Sequence, residues 1–331
     1  MGYLRFYLAL LVCYAHLEHD LWLKGIKYLC PIPVEIFYII SGFIMPLAFK
    51  KYYFNKNNYV KSSIKFILAR FIKIFPLFWF AIFIAFLDQN FIHYLHNQNQ
   101  ELNNFRVIIK NIILVLNDHG KSYLPVSWSL DHELRFYLII PILFYFLKKK
   151  IMLAAAGVII FLISDQFNAS TDSIINSAKF FYIGIILFVY KDKLSKLIDN
   201  CKINLVLYAI YLHFFFIIIS LFFSLNIYLS AISSIIISIV LIMNKNYEKN
   251  SKIDSLLGNI SYPVYILHPL ILGFTYNGFK KIYYFFFSEN LILFYNFYQA
   301  FFAFITITII SLIAYKFFLK PIENFKKVLK N

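Results

Sequence analysis

Two ionisable side chains lie inside the apolar run that opens the chain. Arg5 and His16 are eleven positions apart, about three turns of an α-helix, so the two side chains share one face about 16 Å apart. A charged group in the middle of a bilayer costs about 2.5–3.5 kcal/mol on insertion scales, and such groups usually mark a functional path. Each residue also has a structural explanation, because an arginine can reach lipid headgroups and a histidine can make a polar helix contact.

A second polar group lies in the middle of the chain. Ser129, Glu133 and Tyr137 recur every four residues, which predicts one stripe along a helix. Asp131 and Arg135 are also four positions apart and are predicted to form an ion pair. Packing against lipid does not explain so many ionisable groups at the head of a membrane helix, so a functional role is favoured.

Two more segments with polar residues fall in the first quarter of the chain. Glu35 begins an apolar stretch that has Ser41 and Gly42 near its centre, and small residues at this depth also suit a close helix contact. Arg70 and Lys73 are three positions apart, so they share a helix face and can hold a phosphate group. Their alternative role is simply to mark the cytoplasmic side of the membrane.

The last polar group lies towards the end of the chain. Ser261, Tyr265 and His268 share one face of a predicted helix. Pro263 and Pro269 interrupt its backbone hydrogen bonds, which membrane helices tolerate where other groups satisfy the freed carbonyls. A kinked helix with a hydrogen-bonded histidine in its core would account for the same residues.

Composition places these residues in a membrane protein. Hydrophobic residues occupy 61% of the 331 positions and the mean hydropathy is +0.70, more than a soluble chain of this length carries. The apolar runs are continuous, so they predict membrane helices rather than the alternating strands of a barrel. We therefore predict an all-α, polytopic membrane protein with about ten transmembrane helices. The predicted spans are 3–19, 33–49, 68–87, 128–147, 151–164, 178–190, 203–223, 227–243, 257–276 and 291–318.

The positive charges support this arrangement. With both termini in the cytoplasm, the inner segments contain 23 of the 32 Lys and Arg residues and the outer segments contain eight. This bias is expected of a multi-pass protein of the inner membrane, and it explains the net charge of +16 without a nucleic-acid partner. The outer stretch 88–127 contains an apolar piece, 107–116, that is too short to cross and is predicted to be interfacial or re-entrant.

The remaining features indicate a single membrane domain without a metal site. Cys13, Cys30 and Cys201 have no metal-binding or disulfide spacing, and no leader cleavage site follows the first apolar run. We expect one domain over residues 1–331 with no appended soluble domain. The six other histidines are expected to be solvated in loops or at helix boundaries. They are His19, His93, His96, His119, His132 and His213.

Five segments, in this order, resemble the acyltransferase type 3 family of membrane proteins. They are Arg-x10-His (5–16), Glu-x-Phe-Tyr-x-x-Ser-Gly-Phe (35–43), the basic pair before Pro76, Trp-Ser-Leu-x-x-Glu-x-x-Phe-Tyr (128–137) and Ser-Tyr-Pro-x-Tyr-x-x-His-Pro (261–269). The resemblance covers the whole chain. One departure is Lys73, which stands where an arginine is common and weakens bidentate phosphate recognition.

The resemblance implies ten spans and the transfer of an acyl group, usually acetyl from acetyl-CoA. The implied acceptor is a hydroxyl of an extracytoplasmic glycan, such as O-antigen, capsule or exopolysaccharide, or of a lipid-linked sugar. Acetyl-CoA is then the acyl donor and co-substrate, and no metal is required.

Ester formation from a thioester assigns roles to these residues. His16 is predicted to be the general base, and Glu133 is predicted to orient it or to stabilise its imidazolium. The groups are expected to meet in one cavity near the outer half of spans one, two, four and nine. The predicted oxyanion donors are Ser41, Tyr137 and His268. The predicted phosphate-binding residues are Arg5, Arg70 and Lys73. The predicted substrate-binding residues are Glu35, Trp128, Ser129, Asp131, Arg135, Ser261 and Tyr265.

Two alternatives remain open from the sequence. The acyl group could pass through a covalent adduct on His16 or, less favourably, on Cys13, which trapping of labelled acetyl on the protein would reveal. The protein could instead be a transporter or flippase, because such proteins also carry intramembrane Arg, His and Glu. No inverted repeat is visible in the sequence, and consumption of acetyl-CoA separates the two functions.

Overall fold

The computed structural model describes residues 2–16, 31–87, 105–114, 122–146, 156–160, 163, 174–199, 251–286 and 292–322, and every regular element in these ranges is a helix. The helices are α1 (Gly2–His16), α2 (Pro31–Tyr52), α3 (Tyr59–Leu87), α4 (Phe105–Ile113), α5 (Ser127–Phe146), α6 (Ile174–Val189), α7 (Lys191–Asp199), α8 (Lys252–Phe286) and α9 (Ile292–Ala314). A π-helical turn, Tyr315–Leu319, continues α9. The all-α prediction is confirmed for this part of the chain.

Four helices among the described residues are long and apolar enough to cross a membrane. They are Ile32–Tyr52, Tyr59–Leu87, Lys252–Phe274 and Phe301–Ile322, and α6 is a shorter apolar helix. The predicted spans 203–223 and 227–243 lie outside the described residues. Of the predicted span 151–164, the structure describes a helical stretch at 156–160. The total of ten spans and the side of the termini stay predictions.

Polar and apolar side chains are distributed as in a protein surrounded by lipid. On α3, the large apolar side chains of Trp79, Phe83 and Leu87 are 50%, 56% and 60% exposed. By contrast, Asp131 is 3% exposed and His268 is fully buried. Since burying charged and polar groups is costly without partners, this pattern indicates that lipid replaces water around the helices and that the polar chemistry lies inside.

Two helix pairs approach at glycine. A Cβ atom on Gly42 of α2 would lie 2.2 Å from the carbonyl oxygen of Phe181, and one on Gly184 of α6 would lie 2.2 Å from that of Ile39. Such contacts exclude any side chain at either position, as in small-residue helix contacts in membranes. The prediction of a close helix contact at Gly42 is therefore confirmed.

The α1–α8 pair is equally close at its start. A Cβ atom on Gly2 would overlap the backbone of Asp254 and Gly258. The two helices run in the same direction, because Gly2 lies beside Asp254 and His16 lies beside His268. This parallel course places the first turn of α1 at the depth of Asp254 and its last turn at the depth of His268.

Helix α2 is parallel to both α5 and α6. Ser41 bonds to Glu133, and Tyr38, one turn earlier, bonds to the backbone of Ser129. On the other side, Ile39 contacts Gly184 and Phe43 contacts Phe188. In the ten-span prediction these three helices are spans two, four and six, which all cross in one direction, so the observed directions agree with that alternation.

Candidate active site

A cavity whose wall carries several charged and hydroxyl side chains lies between α1, α2, α3, α5 and α8. Its volume is about 110 Å³. The four helices predicted to share a cavity do so, and α3 joins them. The lining residues are Arg5, Val34, Phe37, Tyr38, Ile40, Ser41, Met45, Arg70, Lys73, Ile74, Ser129, Leu130, Glu133, Tyr137, Gly258, Ser261, Tyr262 and Tyr265.

One end of the cavity carries three cations, Arg5, Arg70 and Lys73, and is called the basic end below. Arg5 interacts electrostatically with both Arg70 and Glu133. Within the described part of the chain, the buried Nε of Arg70 has no hydrogen-bond partner. An unsatisfied guanidinium donor in a cavity that contains two further cations fits a site for an anionic group such as a phosphate, because charge-assisted hydrogen bonds from arginine to phosphate are strong.

Glu133 lies at the centre of the cavity wall. Ser41 Oγ donates to its Oε1 over 2.8 Å, and the hydroxyl of Tyr137 donates to the same oxygen. Ser129, Glu133 and Tyr137 all line the cavity, so the predicted stripe on α5 is confirmed. Because two hydroxyls point at one oxygen, Glu133 accepts hydrogen bonds here and orients both hydroxyl groups.

Away from these cations, Ser129 and Tyr265 line the cavity and lie next to His268 and His16, and these four residues are called the histidine end below. Ser129 Oγ donates to the carbonyl of Val126 over 3.0 Å and lies 2.5 Å from the hydroxyl of Tyr265. The ring of Tyr265 is 5.9 Å from that of His268, and the ring of His268 is 4.9 Å from that of His16. His16 and His268 do not line the cavity themselves, but His268 packs against Tyr265, which does.

The backbone fixes the orientation of both imidazoles. Pro269 has no N–H, so the carbonyl of Tyr265 loses its helical donor, and His268 Nδ1 fills that position at 2.7 Å. His16 Nδ1 is 2.8 Å from the carbonyl of Val12. A carbonyl oxygen only accepts, so each Nδ1 carries the proton and each Nε2 presents a lone pair. His16 is exposed, whereas His268 is fully buried.

The structure does not bring Glu133 and His16 together. The described hydrogen bonds of Glu133 come from Ser41 and Tyr137, and those of His16 and its ring contact involve Val12 and His268. The expected orientation of His16 by a carboxylate is thus replaced by orientation through a backbone carbonyl. Glu133 is nearer the basic end, where Arg5 balances its charge.

Several predicted substrate-binding residues lie away from the cavity. Asp131 and Arg135 form the predicted ion pair, with Nε–Oδ1 and Nη2–Oδ2 distances of 2.7 and 2.8 Å, on a different face of α5 from Glu133. Glu35 interacts electrostatically with Lys179 of α6. Trp128 packs its ring edge against His132. Of this predicted set, Ser129, Ser261 and Tyr265 are the members that line the cavity.

His132 is a correction to the sequence analysis. It was expected to be solvated, but it is only 5% exposed, and its Nδ1 lies 2.9 Å from Ser177 Oγ. The physical reason is that α6 supplies a hydroxyl that satisfies the imidazole inside the bundle. Sequence periodicity cannot show this, since Ser177 is 45 positions away.

Asp254 is a structural residue of the site that the sequence analysis missed. Its Oδ1 accepts from the backbone N–H of Tyr3 over 2.9 Å, so it caps the start of α1 from another helix. Its own N–H is bonded to Ser251 Oγ at 3.0 Å. The Ser-x-x-Asp spacing of 251–254 is a capping-box signal, but the sequence does not reveal that the carboxylate serves a second helix.

Tyr38 and Tyr262 were also missed as cavity residues. Tyr262 donates to the carbonyl of Ile74 over 2.7 Å and so ties α8 to α3 beside the basic end. Tyr38 bonds weakly to the Ser129 carbonyl at 3.5 Å and stacks on Phe181. Both residues stand inside segments that were singled out for neighbouring residues, which is the signal that could have identified them.

Apolar outer faces and a cavity between the helices define this protein as a helical membrane protein with a candidate binding site inside. The profile of the acyltransferase type 3 family, an acyltransferase domain, matches residues 1–318. The chain belongs to this family and is an acyltransferase. Neither a curated protein nor a solved structure gives a match to the chain.

Proposed function

We propose that the protein transfers an acetyl group from cytoplasmic acetyl-CoA to a hydroxyl of an extracytoplasmic cell-surface glycan. The observation that carries this proposal is the cavity, whose lining includes three cations and also Tyr265, the residue that packs against the pair formed by His268 and His16. Donor phosphates would be held by Arg5, Arg70 and Lys73. The pantetheine arm would follow the cavity, so that the thioester reaches the Tyr265 wall beside His16.

The chemistry follows from the groups at the histidine end. His16 Nε2 accepts the proton of the glycan hydroxyl as the hydroxyl oxygen attacks the thioester carbonyl carbon. The carbon–sulfur bond then breaks, and the proton passes from His16 to the thiolate sulfur of CoA. Ester and free thiol are the products, and no other reactant is consumed.

The hydroxyls near Glu133 supply the oxyanion donors of the proposed mechanism. Ser41 and Tyr137 both donate to Glu133 Oε1, so their hydrogens are already directed into the cavity wall. Both hydroxyls would turn to the carbonyl oxygen as negative charge develops on it. Glu133 is then a residue that holds two donors ready, and His16 is oriented by Val12 instead.

The proposed setting is the inner membrane, with ten spans and both termini in the cytoplasm. Parallel pairing of α1 with α8, and of α2 with α5 and α6, supports an alternating topology in which these helices are spans one and nine, and two, four and six. The bilayer and a glycan or lipid-linked sugar are the expected partners. Cysteine substitutions labelled from outside in intact cells would test the sidedness of 50–58 against that of 122–126.

Transfer can be tested with the full-length protein in lipid nanodiscs. Acetyl-CoA labelled in its acetyl group is supplied with glycans extracted from the cell envelope, and the expected product is an alkali-labile ester on the glycan with one free thiol released per ester. His16→Ala should abolish ester formation while leaving acetyl-CoA binding intact. Undiminished transfer by His16→Ala would remove His16 as the base, and label on the protein without acceptor would indicate an acyl-enzyme route.

A further inference from the structure

The Nε2 atom of His268 is a buried hydrogen-bond acceptor, and none of the described residues donates to it. Its side chain is fully buried, and among the described residues its Nε2 has no hydrogen-bond partner. Buried acceptors without donors are unfavourable and rare in native proteins. A donor that forms during the reaction would satisfy this atom.

His16 cannot provide that donor in its neutral state. Its single ring proton is on Nδ1, which is bonded to the Val12 carbonyl, so its Nε2 is also a lone pair. Two acceptors do not bond to each other, although the two rings lie only 4.9 Å apart and are tilted by 57°. The pair is close without a hydrogen bond, which is the arrangement expected of two neutral imidazoles with the same tautomer.

Protonation of His16 changes this relation. When its Nε2 takes up the proton of the acceptor hydroxyl, His16 gains the N–H that His268 lacks as a partner. Hydrogen bonds between catalytic groups are often long before reaction and tighten as charge develops. The new bond would exist only in the charged state, and interactions of that kind favour the reacting state over the resting state.

We propose that His268 is a positioning residue for acyl transfer whose Nε2 accepts a hydrogen bond from His16 once His16 holds the acceptor's proton. The inference rests on the proposed function and differs from the expected oxyanion role, since a neutral His268 with its proton on Nδ1 has no N–H at Nε2 to donate. When His16 passes its proton to the leaving thiolate, both imidazoles return to the neutral tautomer. Pro269 contributes to this arrangement, because it leaves the Tyr265 carbonyl free to accept the hydrogen bond that orients His268.

The matched variants are His268→Gln and His268→Met. Both side chains have similar length and both lack the Nδ1 donor, but only glutamine places an oxygen acceptor near the position of Nε2. The full-length proteins in nanodiscs are assayed with acetyl-CoA and envelope glycans for kcat and for both KM values. We expect kcat of the Met variant to be about tenfold to a hundredfold below that of the Gln variant, with KM for acetyl-CoA equal in both.

His268→Asn is the complementary variant. Its amide can still donate to the Tyr265 carbonyl, so the backbone contact is retained while the Nε2 acceptor is lost. We expect Asn to melt near the wild-type temperature but to share the low kcat of Met. If Met does not fold, the comparison of Asn with wild type replaces it.

The outcomes separate this inference from the proposed function. Equal kcat for Gln and Met, or wild-type kcat for Asn, would overturn the role of Nε2 and leave His268 as a backbone contact only. If His16→Ala loses transfer but the Gln and Met variants of His268 have equal kcat, His16 remains the proposed base and His268 is rejected as its partner. Transfer by His16→Ala would instead reject the base, and with it the reason for a partner.

Discussion

The two ends of the cavity are held by different kinds of contact. At the basic end, Arg5, Arg70 and Glu133 interact through charge, and the Nε of Arg70 is without a hydrogen-bond partner in the described part of the chain. At the histidine end, both imidazoles are fixed by backbone carbonyls. The first end can adapt to an anionic ligand, whereas the second holds its tautomers before any ligand arrives.

This difference assigns binding to one end and chemistry to the other. Side chains that interact through charge contribute affinity across a range of geometries, while a general base requires an oriented lone pair within hydrogen-bond reach of the acceptor. Substitutions at the basic end should therefore change KM for acetyl-CoA, and substitutions towards the histidine end should change kcat. Glu133 lies between the two ends, so its substitutions show whether it serves donor binding or chemistry.

Among substitutions that leave both histidines in place, the largest effect is expected at Glu133. Glu133→Ala removes the oxygen that orients Ser41 and Tyr137, and we expect kcat to fall about a hundredfold. Glu133→Gln keeps an oxygen acceptor and is the control, with an expected fall of about tenfold. Steady-state thiol release measures kcat of both variants. A change confined to KM for acetyl-CoA would instead assign Glu133 to donor binding.

A smaller effect is expected at Arg70. Arg70→Ala removes a charge-assisted contact to the donor phosphates, so KM for acetyl-CoA should rise about tenfold with kcat changed by less than about twofold. Arg70→Lys keeps the charge and loses the planar donor set, so its KM should be intermediate. A fall in kcat at saturating acetyl-CoA would contradict the assignment of binding to this end.

Asp254 affects the basic end indirectly. Asp254→Ala removes the cap on the Tyr3 N–H, which should lower stability by about 1 kcal/mol and let α1 shift with Arg5. We expect KM for acetyl-CoA to rise about threefold with KM for the glycan unchanged. Asp254→Asn keeps the acceptor oxygen and serves as the control in melting and kinetic measurements. Equal changes in both KM values would show that the cap does not act through Arg5.

The smallest effect is expected at Lys73, where a substitution should strengthen donor binding. Lys73→Arg introduces a planar donor fork at the cavity wall, which suits bidentate contact with phosphate. We expect KM for acetyl-CoA to fall about twofold with kcat unchanged. An increase in KM would indicate that the cavity has no room for the larger guanidinium group at this position.

Contacts within one helix could be predicted, and contacts between helices could not. The stripe of Ser129, Glu133 and Tyr137 and the pair of Asp131 with Arg135 follow from helical periodicity alone, and both are present. Arg5 and His16 were placed on one helix for the same reason. Most of the polar residues that line the cavity were among the predicted site residues, Tyr38 and Tyr262 being missed.

The partners across helices depend on packing, which spacing does not encode. Glu133 was expected to meet His16 but bonds to Ser41, and His132 was expected in solvent but bonds to Ser177. The His16–His268 contact joins residues 252 positions apart and needs α1 and α8 to be parallel. The family resemblance supplied the set of residues, while the pairings within it required the structure.

The glycines of α1, α2, α6 and α8 have a mechanical consequence. Backbones that touch at Gly42 and Gly184, and at Gly2 and Gly258, have no side chain between them that could yield, so neither pair can twist internally without a steric clash. The α2–α6 and α1–α8 pairs would each move as a rigid unit, and the distance between α1 and α2 across the cavity would change as one pair moves against the other. Such a movement would carry Arg5 and His16 together, because both belong to α1.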